Sequence, residues 1–154
     1  MSKKPLKNLV IHCTDTPLNR EVTEEELRRW HCAPPPVGRG WRQVGYSSLV
    51  GVTGIIKTLV PNNGDSFVDA EEITNGAAGY NSESYHIAYA GGKGTPPINE
   101  LQKTVLLTFV KSFIAQQPQV KVCGHYQLDK SKTCPNVNVP AWLRENGVGE
   151  QNIL

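Results

Sequence analysis

Long hydrophobic runs and concentrated charge are both missing from this chain of 154 residues. No apolar segment approaches the ~20 residues that a membrane-spanning helix needs, so we expect no membrane anchor. The formal net charge is only +2, and the charged residues, 19% of the chain, form no run of one sign. Because a nucleic-acid-binding domain normally carries a basic patch, this distribution argues against nucleic acid as a partner.

Cysteine is scarce, and nothing in the sequence indicates an oxidising compartment. The chain has four cysteines, which are Cys13, Cys32, Cys123 and Cys134. Its basic N-terminus is followed by a short apolar stretch that His12 and Asp15 interrupt, which is not the pattern of a secretory signal peptide. We therefore expect synthesis and folding in the cytosol, where thiols stay free or bind metal, and disulfides are the weaker interpretation.

Internal repeats, Gly/Ser tracts and interdomain linkers are also absent, which favours one domain over residues 1–154, with a core at about 8–145. A chain of this length can bury a core without disulfide support. Strands, a hairpin and crossover helices alternate along the sequence. This order predicts an α/β or mixed α+β fold, in which helices flank a central mixed β-sheet. We expect the protein to be a monomer.

Strands are predicted where β-branched and aromatic residues cluster between turn signals. They cover residues 8–13, 44–52, 55–60, 84–91 and 119–123. His12 then lies at the C-terminal end of the first strand. The second and third strands form a hairpin that turns near Gly54, with Tyr46 in its first strand. Residues 61–82 show no clear period and predict a long surface connection that can contribute to a substrate groove.

Helices are predicted from capping and periodicity. They cover residues of about 24–32, a long segment from 100 to just before Pro118, and a final segment from near Pro140 to Gly147. Thr23 and Glu26 form a capping box at the start of the first helix, and Asn99 caps the second. The apolar stripe of the long helix is predicted to include Leu101, Val105, Phe109 and Phe113, widened by Leu106, Val110 and Ile114.

Two predicted strand ends each deliver a histidine, His12 and His125, and nine residues past the second lies Cys134. Two imidazoles and a thiolate are three good zinc ligands, and a catalytic zinc keeps its fourth position open for water. Spacing alone does not decide the matter. A histidine at a strand end is more often a hydrogen-bonded surface residue, and a single cysteine is more often a small buried hydrophobe.

Other histidines, cysteines and tryptophans have plainer interpretations. His31 ends the first predicted helix and is expected to meet its terminal carbonyls, whereas His86 is expected to pack or hydrogen-bond within the sheet. Cys13 adjoins His12 but alternates to the opposite face of the strand. Trp41, in a glycine-rich loop, could reach carbohydrate.

Six short motifs occur in a fixed order along the chain. They are V-I-H-C-T at 10–14, L-R-R-W-H at 27–31, V-G-Y-S at 44–47, G-Y-N at 79–81, G-H-Y-Q-L at 124–128 and K-T-C-P at 132–135. Together they resemble the zinc-dependent (type 2) N-acetylmuramoyl-L-alanine amidase family, which includes phage lysozyme-like endolysins and is homologous to peptidoglycan recognition proteins. The resemblance implies hydrolysis of the amide bond between N-acetylmuramic acid and L-alanine in bacterial peptidoglycan.

The resemblance also implies one Zn²⁺ ion and a set of site residues. The implied metal ligands are His12, His125 and Cys134. Tyr46 and Lys132 are implied in catalysis. A zinc ion with three protein ligands lowers the pKa of its bound water towards ~7 and polarises a carbonyl. The Lys132 ammonium would stabilise the developing oxyanion, and Tyr46 would hydrogen-bond the water or relay protons.

The family pattern is not complete in this chain. Many members carry a histidine directly after the tyrosine, where this chain has Ser47. The departure removes no predicted zinc ligand. We expect it to affect the shape of the groove and the peptide preference, because substrate contacts in such folds come from loops on a rigid scaffold.

Three other functions stay open on the sequence. Some peptidoglycan recognition proteins lack the cysteine ligand and bind the wall without cutting it, which Cys134 argues against. A structural zinc site in a regulatory module is the second, since related phage enzymes also regulate a polymerase. The third is a metal-free cysteine hydrolase that uses Cys13 or Cys134. An enzyme without an export signal fits phage lysis, in which it reaches the cell wall after release, with bacterial recycling or an effector role as alternatives.

Overall fold

The structure is a computed structural model that describes residues 3–154. In that range the strands are β1 Lys4–Pro5, β2 Asn8–Cys13, β3 Thr16–Pro17, β4 Ser48–Val50, β5 Ile56–Thr58, β6 Phe67–Val68, β7 Ser84–Tyr89, β8 Gly92–Lys93 and β9 Lys121–Gly124. The helices are α1 Glu24–Cys32, α2 Glu100–Gln116, α3 His125–Leu128 and α4 Val139–Glu145. The architecture confirms the predicted mixed α+β fold.

A central five-stranded sheet has the order β5-β4-β7-β2-β9. Strands β4, β7, β2 and β9 run parallel, and only β5 is antiparallel to its neighbour β4. Ile11 of β2 lies beside Gly124 of β9. Since the carboxyl ends of parallel strands meet at one edge of a sheet, the residues that follow, His12 and His125, reach the same edge.

Helices cover both faces of this sheet. Alternate residues of β2 and β7, such as Leu9 and Ile87, pack with Val110 of α2 and Leu143 of α4 in one buried cluster. The opposite face carries a second cluster that includes Leu27 of α1. Period-two alternation explains the division, because successive side chains of a strand point to opposite faces. No helix within residues 3–154 combines the length and apolar character needed to cross a membrane.

The predicted helix starts are confirmed. Thr23 Oγ1 accepts a hydrogen bond from the Glu26 backbone N–H at 3.1 Å, and Asn99 Oδ1 accepts one from the Gln102 N–H at 2.7 Å. Each cap satisfies a backbone donor that the first turn of a helix leaves without a partner.

The apolar stripe predicted for α2 is partly wrong. The buried row consists of Gln102, Leu106 and Val110, whereas Leu101 is 51% exposed. Residues spaced by four lie on one face, so two adjacent rows of this helix satisfied the same pattern. The buried Gln102 amide decides between them, because its Nε2 donates to the Ala90 carbonyl at 2.7 Å and turns that row towards the sheet.

The hairpin is confirmed, but Tyr46 does not belong to its first strand, which begins at Ser48. Gly45, the residue before Tyr46, donates its N–H to a side-chain nitrogen, His31 Nδ1, at 2.9 Å. The Ser47 N–H donates to the His86 carbonyl at 2.8 Å and starts the approach to β7. Tyr46 therefore lies in an irregular segment that crosses the end of the sheet.

The predicted surface connection over residues 61–82 is more structured than expected. It contains β6, and the buried Glu72 carboxylate accepts the backbone N–H groups of Asn63 at 2.7 Å and Asp69 at 2.8 Å. Its last part packs beneath β7, where Gly76 lies directly against the His86 ring. This segment therefore supports the sheet next to the candidate site.

Candidate active site

Three potential metal ligands converge at the carboxyl edge of the sheet. His12 lies near the end of β2, His125 is the first residue of α3, and Cys134 lies in the loop that follows α3. Their nitrogen and sulfur atoms all lie within 4.8 Å of one another. Among residues 3–154 this is the only group of three or more His, Cys, Asp or Glu side chains placed closely enough to share an ion.

The spacing of these atoms suits zinc. Cys134 Sγ lies 3.6 Å from His12 Nδ1. With Zn–S of ~2.3 Å and Zn–N of ~2.0 Å, tetrahedral geometry separates sulfur from nitrogen by about 3.5 Å. The rings of His12 and His125 have centroids 4.7 Å apart and are tilted by 57°. Two imidazoles and one thiolate at this spacing are a donor set that zinc accepts.

Backbone groups hold the Cys134 sulfur in place. The Cys13 N–H donates to Sγ at 3.2 Å, and the Cys134 carbonyl accepts the Tyr126 N–H at 3.0 Å. The hydrogen bond with the Cys13 side chain, followed by burial, raises the pKa of the Cys134 thiol. An activated cysteine nucleophile needs a lowered pKa, so this environment argues against Cys134 as the nucleophile of a metal-free cysteine hydrolase. A divalent cation would stabilise the thiolate instead.

His12 is 1% exposed. Burial is the main cause that lowers the pKa of its imidazole well below 6.5, which keeps the ring neutral. A neutral imidazole is the form that binds metal. Its Nε2 lies 2.8 Å from Nδ1 of His86.

Tyr46 stands beside the ligands. Its hydroxyl donates to the Cys13 carbonyl at 3.2 Å, and its ring centroid lies 5.1 Å from that of His12. Burial is the main cause that raises the pKa of the Tyr46 phenol. The hydroxyl therefore stays protonated at neutral pH and acts as a hydrogen-bond donor.

Lys132 lies on the tight loop that leads to Cys134, and its side chain is exposed. The Lys132 N–H donates to the Asp129 carbonyl at 3.0 Å, while the Asp129 carboxylate accepts the Ser131 hydroxyl at 2.7 Å. Burial, and then the positive charge of Lys132, lower the pKa of His125. The loop thus holds an exposed cation close to a predicted ligand.

A family model described as N-acetylmuramoyl-L-alanine amidase matches residues 2–137. The chain belongs to this amidase family. The endolysin of Enterobacteria phage K11 is 25% identical over 139 residues, which cover 87% of this chain and 83% of the phage protein. The resemblance predicted from the six motifs is confirmed.

Solved structures share the fold of this amidase. The N-acetylmuramoyl-L-alanine amidase LysC from Clostridium intestinale URNW has a TM-score of 0.74 at 18% identity, covering 97% of this chain and 92% of that chain. Drosophila PGRP-LB has a TM-score of 0.68 at 20% identity, covering 97% of this chain and 88% of that chain. The chain therefore shares its fold with both proteins, as the resemblance implied.

His31 of the amidase does not meet the carbonyls of its own helix, which corrects the prediction. Its Nδ1 accepts the Gly45 N–H at 2.9 Å. Its ring centroid lies 5.0 Å from that of Trp41 and 5.2 Å from that of Tyr46. Because the ring is buried between these side chains, it supports the segment that carries Tyr46.

Protonating His31 is expected to destabilise the folded amidase. Burial, and then the Arg39 charge, lower the pKa of His31 from 6.5 to about 4. The unfolded chain takes up the proton near pH 6.5 and the folded chain only near pH 4. The stabilisation is therefore complete above pH 6.5 and is lost as the pH falls towards 4. We expect a loss of roughly 1–2 kcal/mol in the free energy of unfolding, after discounting for solvent contact.

Urea unfolding of the metal-free protein at pH 7 and pH 4.5 measures this loss. In the variant His31→Asn, the amide oxygen can replace Nδ1 as acceptor but does not titrate, so the pH dependence should become shallower by about that amount. Equal pH dependence in the two proteins would contradict the prediction.

Sequence reasoning did not identify three residues that support the site. His86 was expected to hydrogen-bond inside the fold, which is confirmed, but its partner is a predicted metal ligand. Asn81, which contacts His86 Nε2 at 3.0 Å, was noted only as part of a motif. Gly76 lay in a segment without a period. Only the register that sets Val10 beside His86 brings these residues to His12, and the sequence contains no signal for it.

Proposed function

We propose that this N-acetylmuramoyl-L-alanine amidase is a zinc-dependent hydrolase of the endolysin type, in which His12, His125 and Cys134 hold one Zn²⁺ ion. The convergence of their ligand atoms within 4.8 Å, in a member of an amidase family, carries the proposal. The substrate is the amide bond between N-acetylmuramic acid and L-alanine in peptidoglycan. When bound, the ion would supply Lewis acidity towards the carbonyl and lower the pKa of water for the attack.

Lys132 is proposed to stabilise the negative charge that develops on the lactyl carbonyl oxygen. An ammonium stabilises an oxyanion more strongly than a neutral amide, so it lowers the barrier rather than merely tightening substrate binding. The exposed position of Lys132 near His125 supports this role, because an exposed ammonium beside the predicted ligands is accessible to a bound substrate.

Tyr46 is proposed to act as a hydrogen-bond donor in the same site. Its raised pKa favours the protonated hydroxyl over the phenolate at neutral pH. The hydroxyl now donates to the Cys13 carbonyl, and a small rotation of the side chain would let it donate to a substrate oxygen. This role positions the scissile amide beside the ligands.

The endolysin assignment is supported by whole-length similarity. The K11 protein that bears this name is matched over 83% of its length, so the likeness is not confined to a short segment. An enzyme of this type would reach the cell wall after release or through another export system. One domain over residues 1–154, acting as a monomer and without nucleic acid as a partner, belongs to the same proposal.

A recognition module without catalysis is the second candidate, because a PGRP protein shares the fold. The presence of a cysteine whose sulfur lies 3.6 Å from His12 Nδ1 favours the enzyme. Three protein ligands are typical of catalytic zinc sites, whereas structural sites normally have four.

Incubation of the purified protein with peptidoglycan, with and without a chelator and with zinc added back, tests the proposed function. We expect free L-alanine amino termini to appear without new reducing sugar ends, the chelator to stop their release, and zinc to restore it. Counting both kinds of ends separates an amidase from a glycosidase. Release that persists in protein shown to be zinc-free would sink the zinc mechanism, and bound zinc without release from any wall type would favour the recognition module.

A further inference from the structure

We propose that His86 and Asn81 are positioning residues that set the tautomer of His12, so that its Nδ1 lone pair faces the metal. The inference rests on the proposed zinc site. It adds to that site a hydrogen-bonded relay in which neither His86 nor Asn81 contacts the metal.

Distances identify which nitrogen of His12 faces the metal. Nδ1 lies 3.6 Å from Cys134 Sγ, on the side where the ligands converge. Nε2 lies on the other side of the ring, 2.8 Å from His86 Nδ1. A metal ligand must present a lone pair, so the proton of neutral His12 has to reside on Nε2.

The backbone determines the direction of the relay. The Ala77 N–H donates to Asn81 Oδ1 at 2.8 Å, which identifies that atom of the amide as the oxygen. The same oxygen lies 3.0 Å from His86 Nε2, so this nitrogen must carry a proton and donate it. Neutral His86 then has its lone pair on Nδ1 and accepts the proton of His12 Nε2. A single backbone N–H therefore fixes two tautomers in series.

Packing prevents the His86 ring from leaving this arrangement. The side chain is 0% exposed. A Cβ atom placed on Gly76 would lie 2.5 Å from His86 Nδ1, so only glycine lets the chain lie flat against the ring. The strand itself is tied at this point, because the His86 carbonyl accepts the Ser47 N–H at 2.8 Å. The ring can neither turn nor withdraw without moving β7 or the segment around Gly76.

Loss of the acceptor would favour the wrong tautomer. Without His86 Nδ1, the buried Nε2–H of His12 would have no partner, which is unfavourable. The tautomer with the proton on Nδ1 then has the lower free energy, because Nδ1–H can donate a hydrogen bond to Cys134 Sγ. That nitrogen would then carry a hydrogen in the direction of the ion, and metal binding would have to displace it. Outer-shell partners of this kind typically change metal affinity by about 10–100-fold.

Three variants separate the relay from simple packing. His86→Leu removes the acceptor and keeps the bulk. His86→Asn restores an acceptor, because its Oδ1 takes the place of Nδ1, and Asn81→Leu leaves His86 in place but removes the oxygen that orients it. We expect His86→Leu to bind zinc about 10–100-fold more weakly in competition with a chromophoric chelator. His86→Asn should recover most of the affinity, and Asn81→Leu should lie between them.

A second readout does not depend on zinc or on activity. Long-range ¹⁵N–¹H spectra of the metal-free protein report the tautomer of each histidine. We expect His12 to carry its proton on Nε2 in the natural protein and in His86→Asn, and to show protonation on Nδ1 in His86→Leu. Val110→Ala creates a cavity in the core cluster that contains Leu9, on the other face of the sheet from His86. This variant controls for destabilisation and should leave the tautomer and the zinc affinity unchanged.

Unchanged zinc affinity in a folded His86→Leu protein would overturn the relay, as would an Nε2–H tautomer that persists there. If His86→Leu is too unstable to purify, the tautomers of His86 and His12 in Asn81→Leu provide the test: unchanged tautomers there would likewise overturn the relay. A natural protein that binds no zinc would defeat the proposed function, while its tautomer spectrum would still decide whether the relay exists.

Discussion

Replacing Cys134 by alanine is expected to abolish zinc binding and to reduce amidase activity to the level of the metal-free protein. The thiolate is the only anionic group among the three predicted ligands, and its sulfur is already placed by the Cys13 N–H at 3.2 Å. Without it, His12 and His125 would offer two neutral nitrogens, which is too few for a stable zinc site. The zinc content after dialysis and the release of L-alanine amino termini measure the two effects.

Cys32→Ala is the matched control for this experiment. Cys32 is also a free, partly buried cysteine, but it ends α1 and is not part of the ligand group. This variant should keep zinc and activity, so a loss in Cys134→Ala cannot come from thiol chemistry in general. His12→Ala should reproduce the effect of Cys134→Ala from the other side of the site. Hydrolysis at the natural rate by Cys134→Ala protein without zinc would refute the proposed ligand set.

Lys132→Ala is expected to keep zinc and lose turnover. A positioned cation that stabilises an oxyanion contributes only in the transition state, and removal of one such donor typically lowers kcat about 10²–10³-fold. The KM should change much less, because uniform substrate binding is retained. Steady-state hydrolysis of a soluble muramoyl-peptide, together with the zinc content, checks both parts.

Lys130 and an arginine replacement provide the controls. Lys130 is exposed, two residues away and of the same charge, so Lys130→Ala should leave kcat nearly unchanged if Lys132 acts by position rather than through the overall field. Lys132→Arg keeps the charge in a different geometry and should recover part of the rate. Equal losses from Lys130→Ala and Lys132→Ala would show that the loop's charge, rather than the Lys132 ammonium, is what matters.

Much of the local structure was predictable from short-range chemistry. The start of α1 followed from the Thr23 cap and the Glu26 capping box, which depend only on residues close in the chain. The hairpin turn and the strand that ends near His12 were equally local. The buried row of α2 was predicted only in part: Leu106 and Val110 were included, but Gln102, whose contact with Ala90 turns this row towards the sheet, was not.

The three predicted metal ligands show that resemblance to a family can predict more than the spacing of the residues does. On spacing alone, His12, His125 and Cys134 gave only a moderate signal for zinc, and the resemblance joined them into one predicted site. The structure brings their ligand atoms within 4.8 Å, as that resemblance implied. By contrast, the prediction for His31 was wrong and that for His86 was incomplete, because their partners lie 14 and 74 residues away in the chain.

By itself, the sequence determined the family, the fold class, the helix caps and the residues that can bind a metal, because these depend on local propensity and on short motifs. Only the tertiary structure decided how the site is supported. The parallel register that places β7 beside β2 puts His86 next to His12, and the segment around Gly76 closes over it. Strand register and loop packing depend on the whole buried core, so no local pattern can specify which polar side chains they bring together.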